Sequence, residues 1–124
     1  MEIRIRTTDY HMTQEVAAYL NERLRSLEKF LDAEIMESAR CEVEIGRAAG
    51  RPRHGANIYF AEIQVIYPGE ERFIRATNNS ESINGAIDDA KDEVLRQLRR
   101  EKKLHIRVAR RAGAFAKGMM RFGN

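Results

Sequence analysis

Residues 58–77, IYFAEIQVIYPGEERFIRAT, decide the fold. Two β-rich runs flank PGEE at 68–71, a Pro-Gly turn signal, and together they predict an antiparallel hairpin. Alternation puts Tyr59, Ala61, Ile63 and Val65 on one face, opposite Ile74 and Ala76, and leaves Phe60, Ile66 and Phe73 on the other. A hairpin with one apolar face needs a cover, so the flanking sequence must supply elements with a matching stripe.

Upstream, RCEVEIGR at 40–47 alternates in the same way, with Cys41, Val43 and Ile45 inward and Glu42 and Glu44 outward. Between it and the hairpin, RAAGRPRHGAN reads as a long loop, because Gly and Pro interrupt both strand and helix. At the N-terminus EIRIRT (2–7) is a fourth alternating strand, with Ile3 and Ile5 on one face. The covers have the helical period. Val16, Leu20, Leu24, Leu27 and Leu31 recur every three or four residues behind Thr13, a predicted N-cap to a helix of roughly five turns, with Tyr19 and Phe30 widening the stripe. Ile83, Ala86, Ile87, Ala90, Val94 and Leu98 form a second stripe, capped by Ser80 or Ser82.

The expected fold class is therefore α+β, in the order β-α-β-β-β-α. A right-handed crossover makes the first two strands parallel neighbours, and the remaining strands follow as an antiparallel meander. The result is a four-stranded mixed sheet with two helices packed on one face and the other face wet.

The charge of this 124-residue chain is unevenly placed. Its net +3 combines a block at 96–111, eight Lys or Arg against Glu101 alone, with an acidic body: residues 1–95 hold twelve basic and eighteen acidic side chains. A concentrated basic block on an acidic body reads as a docking surface for a polyanion. A few cations at a helix C-terminus are explained by the helix dipole; eight exceed that need. If helical, Arg96, Arg99, Arg100 and Lys103 share a flank that can follow a phosphate backbone, and Lys102, Arg107, Arg110 and Arg111 extend it. The plain alternative is a solvated helix end with a basic tail. On the first helix Arg23 and Lys29, with Arg25 nearby, are further candidates, although Glu15, Glu22 and Glu28 among them equally fit a surface of ordinary ion pairs. Arg47, Arg51, Arg53 and His54 give the long loop a second basic patch, with Gly50 and Gly55 allowing close backbone approach.

Other function classes find little support. His11, His54 and His105 are scattered, Cys41 has no cysteine partner, and there is neither a phosphate-cradling glycine loop nor a nucleophile motif. The expectation is no enzyme, no cofactor, no metal and no small-molecule substrate. No apolar run approaches the ~20 residues that span a bilayer, and one cysteine fits a reducing compartment, so the chain is expected to be cytoplasmic and not membrane-bound. Phe60 and Phe73 on the wet face suggest a partner contact or a minor apolar patch; the glycine-aromatic signature of an RNA-recognition motif is absent.

The order of elements, TQEVAAYLNERLRSLEKFL (13–31) on the first helix and ATNNSESINGAIDDAKDEVLRQLRREKK (76–103) leading through the second resemble the ribosome hibernation-promoting factor family. That family is also called ribosome-associated inhibitor or ribosomal subunit interface protein. The resemblance covers residues 1–107 and marks them as a ribosome-binding domain, with 108–124 as a basic C-terminal tail. It implies a fold related to double-stranded-RNA-binding domains. It further implies binding to the small ribosomal subunit, to its rRNA and neighbouring ribosomal proteins, over the decoding region. Translation would stop by steric occupancy, and idle ribosomes would be protected under starvation or stress. Arg23 corresponds to a basic site on the family's first helix, and Arg96, Arg100 and Lys102 to basic sites on its second; Glu93 stands where some members have lysine. The chain resembles the short form, without a second, dimerising domain, and the free protein is expected to be monomeric. Two rival readings stay open: a generic module for structured RNA, and a protein-interaction domain that uses the open sheet face.

Overall fold

In chain order the elements are strand β1 (Glu2–Thr8), helix α1 (Gln14–Glu28), a short helix α2 (Ala33–Ser38), strands β2 (Arg40–Arg47), β3 (Tyr59–Tyr67) and β4 (Arg72–Ser80), and helix α3 over residues 83–101. The structure is a computed structural model, and it describes residues 1–31, 33–48, 58–67 and 72–101. Of the expected 47–57 loop, Arg47 is the last residue of β2, and the part beyond Ala48, the PGEE turn and everything after Glu101 lie outside the described residues.

The sheet runs β1-β2-β3-β4, with β1 parallel to β2 and the other neighbours antiparallel. Register explains why the alternation was so regular. Ile5, Val43, Ile63 and Ala76 form one cross-sheet row, and Ile3, Cys41, Val65 and Ile74 the next, all on the covered face. A slip of one residue in any strand would turn its whole apolar set to water. Leu20, Leu24 and Leu27 of α1 and Ala86, Ile87, Ala90, Val94 and Leu98 of α3 close over these rows, each at most 2% exposed. Both helices therefore pack on one sheet face, as the two stripes required.

The caps follow the sequence closely. Val16 N donates to Thr13 Oγ1 at 3.2 Å, and Gly85 N donates to Ser82 Oγ at 3.0 Å, so Ser82 rather than Ser80 caps α3. Ser80 is instead the last residue of β4, which runs further than expected through Asn78 and Asn79. Helix α1 stops at Glu28, short of five turns, and Phe30 N and Leu31 N donate to the Leu27 and Glu28 carbonyls as the chain leaves it. Leu31 still reaches the core from beyond the helix.

Helix α2 is an addition to the expected order. Its six residues make fewer than two turns, too few for a period to stand out, and Met36 anchors it against the core. At the other end of the sheet Gly46 lies opposite Thr8, so close that a Cβ built on it would sit 1.9 Å from the Thr8 carbonyl oxygen. Only glycine lets β1 and β2 approach there. Asp9, next in the chain, takes the left-handed conformation (φ 50°) that turns the backbone out of β1. Among the described residues no helix is long and apolar enough to cross a membrane.

Candidate nucleic-acid interface

Topology decides where the charges of the two long helices fall. Because β1, β2 and β4 point the same way, α1 returning from β1 and α3 returning from β4 run parallel to each other. Side-chain contacts keep the same order along both: Tyr19 and Arg23 meet Asp88, and further on Phe30 meets Arg99. The two C-terminal ends therefore lie together, and so do the negative ends of two helix dipoles. Arg25 and Lys29 of the first helix and Arg96, Arg99 and Arg100 of the second collect at that end, all exposed. Glu15 and Glu22 lie toward the opposite end of the same face, with Asp88, Asp89 and Asp92. Glu28, Glu93 and Glu101 are the acidic exceptions at the basic end, Glu93 in direct contact with Arg96.

The candidate arginines differ in what already holds them. Arg23 is half-buried and fully engaged. Its Nε donates to Asp88 Oδ1 at 3.0 Å and its Nη2 to the Tyr19 hydroxyl at 3.2 Å, while its guanidinium carbon lies 4.5 Å from the Tyr19 ring centre. Tyr19 in turn donates to Asp88 Oδ2 at 2.6 Å. The hydrogen bonds to Tyr19 and Asp88 raise the Arg23 pKa above its ordinary value, so this cation is a brace between α1 and α3. Arg96 donates through both Nε and Nη2 to Glu93 Oε2, one helical turn earlier. That pairing, with a bond from Gln97, holds the Glu93 carboxyl below the usual carboxylate range. Gln97 Nε2 also donates to the Arg75 carbonyl at 3.2 Å and ties this flank of α3 to β4.

Arg99 leans the other way, its guanidinium carbon 5.1 Å from the centre of the Phe30 ring. Stacking on an aromatic face fixes a guanidinium's plane and leaves its N–H edges available. Lys29, the residue at the C-cap of α1, and Arg100 are exposed beside it. Of the predicted site, then, Lys29, Arg96, Arg99 and Arg100 share one end of the helical face, and Arg23 stands nearer its acidic end. Arg51, Arg53, Lys102, Lys103, Arg107, Arg110 and Arg111 lie outside the described residues. Sequence reasoning missed the supporting roles of Asp88 and Phe30. The i,i+4 spacing of Tyr19 and Arg23 was visible, but their meeting with Asp88 depends on tertiary packing.

The open sheet face is built differently. Arg6 Nε donates to Glu44 at 2.8 Å across β1 and β2, Arg75 pairs with Glu62 at 3.1 Å across β4 and β3, and Arg4 pairs with Glu2 at 3.1 Å. Arg40 and Glu42 form a further ion pair at 3.2 Å. Phe60 lies in the row of Gly46 and Asn79, whereas Phe73 lies opposite Ile66 toward the other end of the strands, so the two aromatics do not share a patch.

Among the described residues there is no group of three or more His, Cys, Asp or Glu placed to hold a metal ion. Burial pushes the Cys41 thiol up to about 12, far from the range of a reactive thiolate.

A family model described as Sigma 54 modulation protein / S30EA ribosomal protein matches residues 3–105. The chain belongs to this family. It is the family of ribosome-associated, subunit-interface factors that the two helix sequences resemble. The N-terminal domain of Protein Y from Thermus thermophilus is similar in structure, with TM-score 0.62 and 26% identity over 81% of this chain and 98% of that one. A ribosomal subunit interface protein from Coxiella burnetii also gives TM-score 0.62, over 83% of this chain and 99% of that one; at 12% identity it shows the shared fold alone. No curated protein matches the chain.

Proposed function

We propose that the protein binds the small ribosomal subunit in the cytoplasm, occupies the decoding region and holds idle ribosomes silent under starvation or stress. The observation that carries this is the pooling of Lys29, Arg96, Arg99 and Arg100 at the joint C-terminal end of two parallel helices, in a chain of a ribosome-associated family. Such an end attracts phosphate through side-chain cations, and the cations are in turn favoured by the two helix dipoles. Lys102, Lys103, Arg107, Arg110 and Arg111 continue the same cluster along the chain, and Arg51 and Arg53 add a second point of contact with rRNA. Inhibition follows from occupancy of the cleft and needs no catalytic group.

Co-sedimentation with purified small and large subunits tests this directly. The wild type is expected with the small subunit, and the variant with Arg96, Arg100 and Lys103 all changed to Glu is expected in the supernatant. Binding should weaken with salt by roughly 0.7–0.9 logarithmic units per contact per tenfold salt. Equal affinity for any RNA duplex would instead identify a generic reader of RNA shape. No co-sedimentation near physiological salt would refute the ribosomal reading.

A further inference from the structure

We infer that Glu93 occupies Arg96 in place of a phosphate and sets how strongly α3 grips a polyanion. The inference rests on the function proposed above and concerns the regulation of that same site.

Glu93 and Arg96 lie one turn apart on α3, and a single carboxylate oxygen, Glu93 Oε2, accepts from both Nε and Nη2 of the guanidinium. Those two N–H groups form one of the edges along which an arginine grips a phosphate bidentately. The other carboxylate oxygen, Oε1, accepts from Gln97 Nε2 at 3.3 Å, and Gln97 is itself tied to the Arg75 carbonyl. Glu93 is thus held on the α3 flank beside β4, with its charge turned onto Arg96. Arg99 has no such competitor among the described contacts; its partner is the Phe30 ring, which orders the guanidinium without neutralising it. Two arginines three residues apart are therefore presented in opposite conditions, one capped by an anion and one stacked on a ring.

The Arg23–Asp88 pair shows why the cap at Glu93 is special. Asp88 joins two helices through Arg23 and Tyr19, so its removal would disturb packing. The Glu93–Arg96 pair lies within one helix, with the Arg96 side chain 62% exposed, and such exposed i,i+3 pairs contribute little to stability. A phosphate can displace Glu93 from Arg96 without disturbing the core. What it must overcome is the local carboxylate, and this lowers affinity and keeps Arg96 from binding isolated anions.

The test compares small-subunit affinity for wild type, Glu93→Gln, Asp92→Asn and the double variant Glu93→Gln, Arg96→Gln at several salt concentrations. Glutamine at 93 keeps an acceptor for Gln97 and removes the negative charge that faces Arg96. Asp92→Asn removes the same charge one residue away, where Asp92 pairs with Lys91 at 2.6 Å. Glu93→Gln is expected to tighten binding about three- to tenfold and to steepen the salt dependence by roughly 0.7–0.9, one contact's worth. Asp92→Asn is expected to give a smaller gain at unchanged slope, and the double variant no gain. Binding by the wild type with no gain in Glu93→Gln, an equal gain in Asp92→Asn, or a gain that survives in the double variant overturns the inference and leaves the ribosomal reading standing. No binding by any of the four overturns both.

Discussion

The two faces of the sheet layer carry arginines and carboxylates in comparable supply, yet they differ in how the charges are sorted. On the open face each of Arg4, Arg6, Arg40 and Arg75 has a glutamate beside it, placed there by strand register or by the two-residue repeat. On the helical face the charges are separated along the axes of two parallel helices, acidic toward the N-terminal ends and basic toward the C-terminal ends. A field extends into solvent only when charges of one sign add. The open face has its charges cancelled within a few ångströms; the helical face holds close pairs too, Arg23–Asp88, Lys91–Asp92 and Arg96–Glu93, but pools Arg25, Lys29, Arg99 and Arg100 at its C-terminal end.

Charge substitution on each face is the strongest way to break this comparison. Arg99→Glu with Arg100→Glu is expected to lower small-subunit affinity by about 100-fold or more at moderate salt, because each change removes one phosphate contact and adds a repulsion. Arg4→Gln with Arg75→Gln, which takes two positive charges from the sheet face, is expected to change it by less than about threefold, since those cations are already paired. Titration of labelled protein with purified subunits reads both. Comparable losses from the two faces would show that net charge matters and its sorting does not.

Next in size is a change that disturbs the support of both faces and leaves every charge in place. Gly46→Ala puts a methyl group 1.9 Å from the Thr8 carbonyl oxygen, so β1 must part from β2. A loss of about 3 kcal/mol in unfolding free energy is expected from a backbone clash of this kind. Urea denaturation of the variant measures it, and an unchanged midpoint would mean that the end of β1 is loosely held.

The core between the faces supplies its own reporter. Cys41 is fully buried, with its thiol pushed up to about 12 by burial and, to a lesser extent, by the charge of Glu42. A folded pKa above the unfolded value means that the neutral thiol favours the native state at every pH below the unfolded value. That contribution is lost as the pH climbs from about 9 toward about 12, at roughly 1.4 kcal/mol per unit. Stability measured by urea at alkaline pH should fall in that window in wild type and fall less in Cys41→Ala. Thiol reagents at neutral pH should label Cys41 only as fast as the domain opens.

How far all this was legible depended on whether a feature is local. The rows Ile5–Val43–Ile63–Ala76 and Ile3–Cys41–Val65–Ile74 follow from period two, and the leucines of α1 from period 3.6, so topology could be read from spacing. Thr13 and Ser82 announced their helices because capping is a contact over three residues. Helix α2 was too short to announce itself. For the site, the basic residues were visible as composition, and the Glu93–Arg96 spacing as an ordinary helix pair. What could not be read was which cations were already engaged. Arg23 reads from sequence equally as a phosphate contact or as half of an ion pair with a nearby glutamate, and the partner that holds it, Asp88, lies 65 positions away in sequence.

The smallest expected effect belongs to Phe73, and it separates the two faces most cleanly. At 57% exposed it is the large hydrophobic that stands out on the surface of the described residues, and a sheet-face docking role would depend on it. Docking through an aromatic generally needs a well-packed patch around an anchor. Phe73 has Ile66 opposite it, but Phe60 lies several rows away, with the paired charges of Glu62, Arg75 and Glu44 in between. A lone exposed ring of this kind is common on soluble proteins and implies no partner. Phe73→Glu is therefore expected to leave small-subunit binding within about twofold, since the added charge lies on the face away from the basic helix ends and is screened over about 10 Å. Abolished binding in a folded Phe73→Glu variant, with the Arg99→Glu, Arg100→Glu variant still bound, would transfer the site to the sheet and leave the helical charges as a solvated surface.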